Sequence, residues 1–449
     1  MAEVAQTEQM GRGVVGRIYA NLGRLLSGKA GAGLLSLGYL AVAARALGPA
    51  DYGVLILVHA YVMTVGGIIG FPGWHAVVRY GAQADAAGDG PRLTRLLAFA
   101  GLVEVAGGVA AVALAALLAP VIGPNLGWSP AAIAFALPYS LAVLASVRAT
   151  PAGYLQLRGR FDLLGAHNLV APAVRLAGSF VVIATQSGLR GFLIAWLIAA
   201  LAEWAVMWGL GAWVAWGRHS RADLHIGLGR VTRENTGLWR FMIGANADVT
   251  VSELSGRLAP LAVGWVLGPA AAGLYAVAQR ATAVLAQPAQ ILGQAAYAEL
   301  AGLAAAGDRG PAIRSAVLRS IGVALLAAAP VCLIIGMFGQ ALAVLVAGAS
   351  FAGAGGLMLW LALGRTIQLA APPMSAALTA LGRPDLSAGA NLVSGLGLLL
   401  VLPPMLTWLG LTGAGLHAVI QAMVGSALLA LCAWHQTATG LPLRAKGGA

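Results

Sequence analysis

The chain has 449 residues, of which 59% are hydrophobic and only 9% charged, with a formal net charge of +12 and a mean hydropathy of +0.84. A soluble domain carries roughly 25% charged residues, so too little polar sequence remains here to cover a set of buried core helices in water. The composition excludes a soluble enzyme or a basic nucleic-acid-binding domain and points to a chain that crosses a membrane many times.

Taken in order, Met1 to Gly11 is polar and carries Glu3 and Glu8, and the stretch from Arg12 to Lys29 is basic. No small-residue cleavage site stands before the first apolar run, so a removed signal peptide is not expected. The basic stretch is either an amphipathic helix on the inner membrane surface or a helix extension into the cytosol. Apolar runs then predict spans near 30–47, 53–78, 96–119, 130–150, 163–185 and 190–217. A connection at 218–240 rich in Arg follows, and six more spans are expected near 241–267, 270–297, 315–337, 353–380, 386–409 and 411–436. The expected fold is an all-α integral membrane protein of about twelve transmembrane helices. The expected domains are an N-terminal six-helix bundle (1–217), a cytoplasmic inter-lobe linker (218–240) acting as a hinge, and a C-terminal six-helix bundle (241–449). Pro372-Pro373 in the tenth span should break or kink it.

Basic residues set the orientation. With both termini cytoplasmic, 21 of the 27 Lys and Arg fall on the inner side and only Arg45 and Arg190 on the outer, which is the bias that membrane insertion imposes. The positive charge therefore reads as topology and contact with anionic lipid. No nucleic acid partner is expected.

Three patterns recur in order. Leu47-Gly48-Pro49-Ala50-x-x-Gly53 returns 220 positions later as Leu267-Gly268-Pro269-Ala270-x-x-Gly273. Ala86-Ala87-Gly88-Asp89 returns 219 positions later at 305–308, and Arg160-x-Asp162-Leu163-x-x-x-x-Asn168 returns 223 positions later at 383–391. A duplicated half in a membrane chain suggests a transporter with its site between two bundles. An even number of helices per half makes the repeats parallel, related by a pseudo-two-fold axis along the membrane normal.

The two cysteines, Cys332 and Cys432, lie in apolar spans and read as small hydrophobes. No metal-ligand spacing, nucleotide loop or catalytic elbow is present, so no cofactor, metal or catalytic residue is expected. The informative residues are polar ones at helical spacing inside spans, because placing them in hydrocarbon is expensive. The fifth span carries Asn168, Pro172, Arg175 and Ser179. The seventh carries Asn246, Thr250, Glu253 and Arg257, with Asp248 to one side. The eighth carries Arg280, Gln287, Gln290 and Gln294. The tenth carries Arg365, Gln368, Pro372, Ser375 and Thr379. These faces are expected to line a water-filled cavity between the bundles.

Four arginines, Arg175, Arg257, Arg280 and Arg365, outnumber the acidic residues near them, which favours an anionic cargo such as phosphate or carboxylate. The neutral Gln, Asn, Ser and Thr groups suit sugar hydroxyls. Simpler readings stand beside these. Arg257 either faces the cavity or neutralises Glu253 four residues earlier, and the Gln stripe either lines the cavity or joins helices. Arg175 and Arg365 have no acidic partner on their own helices and are the stronger cavity residues. Asp248 and Glu253 are candidates for proton or sodium coupling. Glu104 and Glu203 either pair with arginines or titrate.

The stretch Ala43-Ala44-Arg45-Ala46-Leu47-Gly48-Pro49-Ala50-Asp51-Tyr52-Gly53-Val54-Leu55 resembles the first-span exit of bacterial polysaccharide flippases, of the multidrug/oligosaccharidyl-lipid/polysaccharide exporter superfamily. The Gly70 to Arg79 stretch, the turn at Gly159-Arg160 and Leu381-Gly382-Arg383 are similar as well. The resemblance implies two six-helix lobes that move a polyprenyl-diphosphate-linked oligosaccharide from the inner to the outer leaflet of the bacterial inner membrane by alternating access, for a surface or secreted polysaccharide. Membrane lipids, and the polymerase and export proteins of such a pathway, are the implied partners. The four arginines match a cationic cavity by character. The two further helices of the lipid II flippase branch are not expected here, which disfavours that cargo. The alternatives are a multidrug or metabolite exporter of the same superfamily, disfavoured by the excess of Arg, and a membrane polysaccharide polymerase or ligase, disfavoured by the lack of a large external loop.

Overall fold

The computed structural model describes residues 2–71, 73–216, 228–285, 300, 303 and 310–439. Helices α1 (Ala2–Ile69), α2 (Trp74–Ala86), α3 (Gly90–Ile122), α4 (Pro130–Tyr139), α5 (Ala149–Leu157), α6 (Phe161–His167), α7 (Val170–Thr185) and α8 (Gly188–Ala215) come first. They are followed by α9 (Leu228–Glu234), α10 (Leu238–Leu267), α11 (Pro269–Thr282), α12 (Pro311–Ala347), α13 (Ala354–Gln368), α14 (Ala371–Ala380), α15 (Pro384–Leu392) and α16 (Leu402–Thr439). Among the described residues there is no strand.

Length converts these helices into membrane crossings. Ser27–Ile69 is an apolar run of 43 residues and Pro384–Thr437 one of 54. At 1.5 Å per residue each is at least about twice the ~30 Å hydrocarbon thickness. Each is interrupted at a glycine of positive φ, Gly48 in the first and Gly410 in the second, and so supplies two crossings. With the six other long apolar runs this makes ten crossings among the described residues. The seventh expected span contributes the shorter apolar helix Gly256–Leu267 within α10, and part of the eighth lies outside the described residues. Many large apolar side chains stand exposed, among them Leu117, Leu326, Leu400 and Trp408, each at least 73% accessible. In water this surface would aggregate; in a bilayer, lipid covers it.

The chain forms two compact units. The first is Met1–Ala46 with Val58–Thr250, and the second is Leu47–Leu57 with Val251–Ala449. Residues 228–240 of the expected linker thus belong with the first unit, and 217–227 lie outside the described residues. In the first unit, Val77, Leu93, Tyr154, Leu155 and Met207 bring α2, α3, α5 and α8 around one core. In the second, Ile313, Met374, Leu378, Ala390 and Leu429 join α12, α14, α15 and α16. The tenth span is broken at Leu369–Ala370, and Pro372 and Pro373 enter the first turn of α14. There the missing amide protons would have had no intrahelical partner.

The repeated sequence patterns are repeated geometry. Gly48 has φ 69 and ψ 176, and Gly268 has φ 84 and ψ 175, each followed by a proline that starts a helix. This backbone region is essentially open to glycine alone. Arg160 bonds Asp162 with contacts of 3.0, 3.3 and 3.0 Å, and Arg383 bonds Asp385 at 3.1, 3.3 and 3.0 Å. Each pair follows a helix closed by the same two bonds, Arg160 N to Leu155 O and Gly159 N to Gln156 O matching Arg383 N to Leu378 O and Gly382 N to Thr379 O. The Ala305 to Asp308 copy of the Ala-Ala-Gly-Asp pattern lies outside the described residues.

Within the second unit the two Leu-Gly-Pro elbows meet back to back. A Cβ on Gly53 would overlap the Pro269 carbonyl, and a Cβ on Gly273 would overlap the Pro49 carbonyl. Gly53→Ala and Gly273→Ala are each expected to lower stability by roughly 1–3 kcal/mol through backbone overlap. Gly209, mid-helix with open space around its Cα, should instead gain about 0.5–1 kcal/mol on change to Ala. Thermal unfolding of the three variants in detergent checks the contrast.

Candidate functional site

Arg175 sits near the middle of the Phe161–Thr185 span. Its Nη1 donates to Tyr39 Oη and its Nη2 to His59 Nε2, both at 3.3 Å. Because Nε2 accepts, the His59 proton lies on Nδ1, which donates to Tyr139 Oη at 2.8 Å; a neutral imidazole satisfies both bonds. The guanidinium carbon stands 5.6 Å from the ring centroids of both Tyr39 and Trp196, and those two rings meet edge to face at 5.2 Å. Arg175 Nε is buried without a partner, and no carboxylate lies within ion-pairing distance of this side chain among the described residues. A fixed positive charge is therefore held by phenol, imidazole and ring faces, with donor capacity left over.

The neighbouring carboxylates are committed elsewhere. Glu203 on α8 pairs with Arg148. Glu104, 2% accessible, accepts from the Ala149 and Thr150 amides at 2.5 and 2.7 Å, capping the N-terminus of α5 from another helix. Of the two sequence alternatives, Glu203 takes the pairing one, and Glu104 serves backbone amides instead.

In the second unit, Arg365 on α13 is half-buried and donates from Nε to Thr282 Oγ1 at 3.3 Å. It too has no carboxylate partner among the described residues. Arg280 and Gln368 are exposed, Arg257 is half-buried and engaged, and Asn168 is half-buried at the junction of α6 and α7. Asn246 is 6% accessible, with both amide atoms unpartnered among the described residues. The side chains of Asp248 and Glu253, and residues Gln287, Gln290 and Gln294, lie outside the described residues.

Several stripe hydroxyls are spent on backbone. Ser179 donates to the Arg175 carbonyl and Thr379 to that of Ser375, while Ser375 and Ser387 bond each other at 2.5 Å. The rings and imidazole around Arg175 were missed from sequence. The signal available was that His59 and Tyr139 are isolated polar groups in apolar spans.

A second polar cluster closes one end of the first unit. Arg95 reaches Glu234 Oε1 at 2.7 Å and Oε2 at 3.0 Å, and Arg230 reaches the same carboxylate at 2.9 Å. Arg92 donates twice to Asn235 Oδ1, and Tyr80 donates to the Thr236 carbonyl. Arg79 lies 4.5 Å from the Phe241 ring centroid. These contacts fix α9 on α2 and α3. Burial opposes ionisation of Glu234, but the bonds from Arg95 and Arg230 outweigh it and hold the carboxyl below its usual range.

Comparison with known proteins places this geometry. Residues 42–354 match the family model described as polysaccharide biosynthesis protein, and the chain belongs to that family. It is similar to the inner membrane protein YghQ of Escherichia coli (strain K12), 28% identical over 271 residues, which is 60% of this chain and 75% of that protein. Among solved structures it matches a multidrug resistance MATE family transporter of the MOP superfamily in its inward-facing conformation. There the TM-score is 0.72 and identity 15%, over 91% of this chain and 96% of the other. It also matches the lipid II flippase MurJ in its inward closed conformation, with TM-score 0.69 and 13% identity, over 90% and 86% of the two chains. The protein thus has the fold of these transporters.

Glu234→Gln is expected to lower unfolding stability in detergent at neutral pH by roughly 1–3 kcal/mol. A carboxyl whose folded-state pKa is depressed stabilises above its unfolded value, near 4.3, and that contribution disappears as pH falls through the lower folded value. The native and variant melting curves should therefore converge on acidification below about pH 4.

Proposed function

We propose that this member of the polysaccharide biosynthesis family is a flippase, not an enzyme, which carries a polyprenyl-diphosphate-linked oligosaccharide from the cytoplasmic to the periplasmic leaflet of the inner membrane by alternating access. The observation that carries the reading is Arg175: a guanidinium at membrane depth with no carboxylate partner among the described residues, set between Tyr39, His59 and Trp196. A cation left uncompensated in hydrocarbon costs several kcal/mol, and such a cost persists where an anionic ligand removes it. Diphosphate oxygens match the open guanidinium edge, and the flat ring faces beside it suit pyranose rings. Arg365 supplies a second cation, in the other unit, with no carboxylate partner among the described residues.

The family and the transporter fold support a membrane transport step in polysaccharide synthesis. A similar chain named as an inner membrane protein supports the location. The lipid II flippase shares the fold, so a lipid-linked glycan is a cargo this architecture can carry. An exporter of organic cations would want carboxylates where this chain has Arg175 and Arg365. Cargo charge therefore separates the flippase from the multidrug exporter. Polymerase and export proteins of the same polysaccharide pathway are the partners this reading implies, and it implies that both termini face the cytoplasm.

The test is mass spectrometry of polyprenyl-linked lipids in cells lacking the chain, alongside surface glycan. One lipid-linked oligosaccharide should accumulate as the surface polymer disappears. Restoring Arg175→Ala or Arg365→Ala should leave transport about ten- to a hundredfold below wild type, the cost of losing a charged hydrogen-bond donor. Unchanged lipids and glycan in the deletion would reject the reading.

A further inference from the structure

The second unit contains a cavity of about 400 Å³ that the transport reading does not use. Its walls are Ile313 and Val317 from α12, Met374 and Ala377 from α14, and Ala430 and Ala433 from α16. The lining is almost wholly apolar. A second depression, of about 550 Å³, adjoins it at the start of α12 and is lined by Arg314, Ser315 and Arg319; Arg314 and Leu318 border both. The two together make a greasy slot with a cationic mouth.

The mouth is built. Arg314 donates to Thr437 Oγ1 at 2.8 Å and to the Trp434 carbonyl at 3.3 Å, and its guanidinium lies 4.1 Å from the Trp434 ring centroid. It is thereby pinned to the last turns of α16 that are described. Neither Arg314 nor Arg319 has a carboxylate partner among the described residues, and Arg319 is exposed. The first-turn amides of α12 add to the positive end. Around the slot, α12 and α16 show lipid-facing side chains: Leu318, Leu326, Leu431 and Trp434 are all more than half accessible.

We infer that this slot holds one acyl chain of an anionic phospholipid, with the lipid phosphate between Arg314 and Arg319. The charge selects the headgroup. A zwitterionic lipid brings an ammonium to a mouth that has two guanidiniums and no acid among the described residues, whereas an anionic lipid brings only negative charge. The apolar floor selects a lipid over free phosphate. The volume, at the low end of ligand pockets, suits a single acyl chain better than a long polyprenyl tail. The bound lipid would seal α12, α14 and α16 against one another at the membrane surface where both arginines stand.

The experiment uses the full-length protein, delipidated in detergent and titrated with phosphatidylglycerol, phosphatidylcholine, undecaprenyl phosphate or inorganic phosphate. Bound lipid is counted by native mass spectrometry. Phosphatidylglycerol should be retained in preference to phosphatidylcholine. Arg319→Gln, at an exposed position, should weaken that retention about fivefold, the effect of one surface charge on an anionic lipid. Ala430→Phe, which fills the slot from an exposed position, should abolish it with the melting temperature kept. Equal retention of phosphatidylcholine, indifference to Ala430→Phe, or displacement of phosphatidylglycerol by inorganic phosphate or by undecaprenyl phosphate at matched concentration would each overturn the assignment.

Discussion

A polar group inside hydrocarbon has to be paired, turned to water or met by a ligand, because leaving it bare costs more than most single contacts in a protein return. Several polar features among the described residues answer that constraint by pairing. Glu203 is neutralised by Arg148, and Glu104 takes the orphan amides of α5. Ser179 and Thr379 hand their hydroxyl protons to carbonyls one turn back. Broken spans obey the same rule: the interruptions at Gly48, Gly268 and Leu369–Ala370 fall next to prolines placed where no amide is needed. Against that background Arg175 and Arg365 stand out, since among the described residues their partners are all neutral. The functional reading rests on this exception.

Duplication explains how one unit of sequence serves twice. Identical elbows at Gly48 and Gly268, and matched Arg-Asp turns at 160–162 and 383–385, show that the repeat was kept in backbone geometry. The back-to-back seating of Gly53 on Pro269 and Gly273 on Pro49 adds a reason for the short motif. Each copy needs a glycine so that the other copy's carbonyl can approach. The arginines inside the spans do not follow the repeat: Arg257 and Arg280 stand 220 positions after Leu37 and Ala60.

The spans and the repeat were legible in the chain because both are local: apolar length gives the crossings, and a Leu-Gly-Pro elbow carries its own conformation. Arg175 and Arg365 were legible for the same reason, as charges inside apolar runs. Their surroundings were not. Tyr39, His59, Tyr139 and Trp196 come from other helices, and only packing assembles them around Arg175. Loop charges do more than set topology: Arg79, Arg92 and Arg95 also contact Phe241, Asn235 and Glu234 and hold α9 and the start of α10. Helical spacing also overstated the stripes, since a hydroxyl on the right face can still be consumed by its own backbone.

The most direct test of the central claim is a Trp-fluorescence titration of the purified protein with a short-chain isoprenyl-diphosphate-linked disaccharide, Trp196 being the ring against Arg175. The account predicts a saturable response that is about tenfold weaker in Arg175→Gln and absent for the same disaccharide without its diphosphate. A response to an organic cation such as ethidium, with none to the diphosphate-linked sugar, would contradict it.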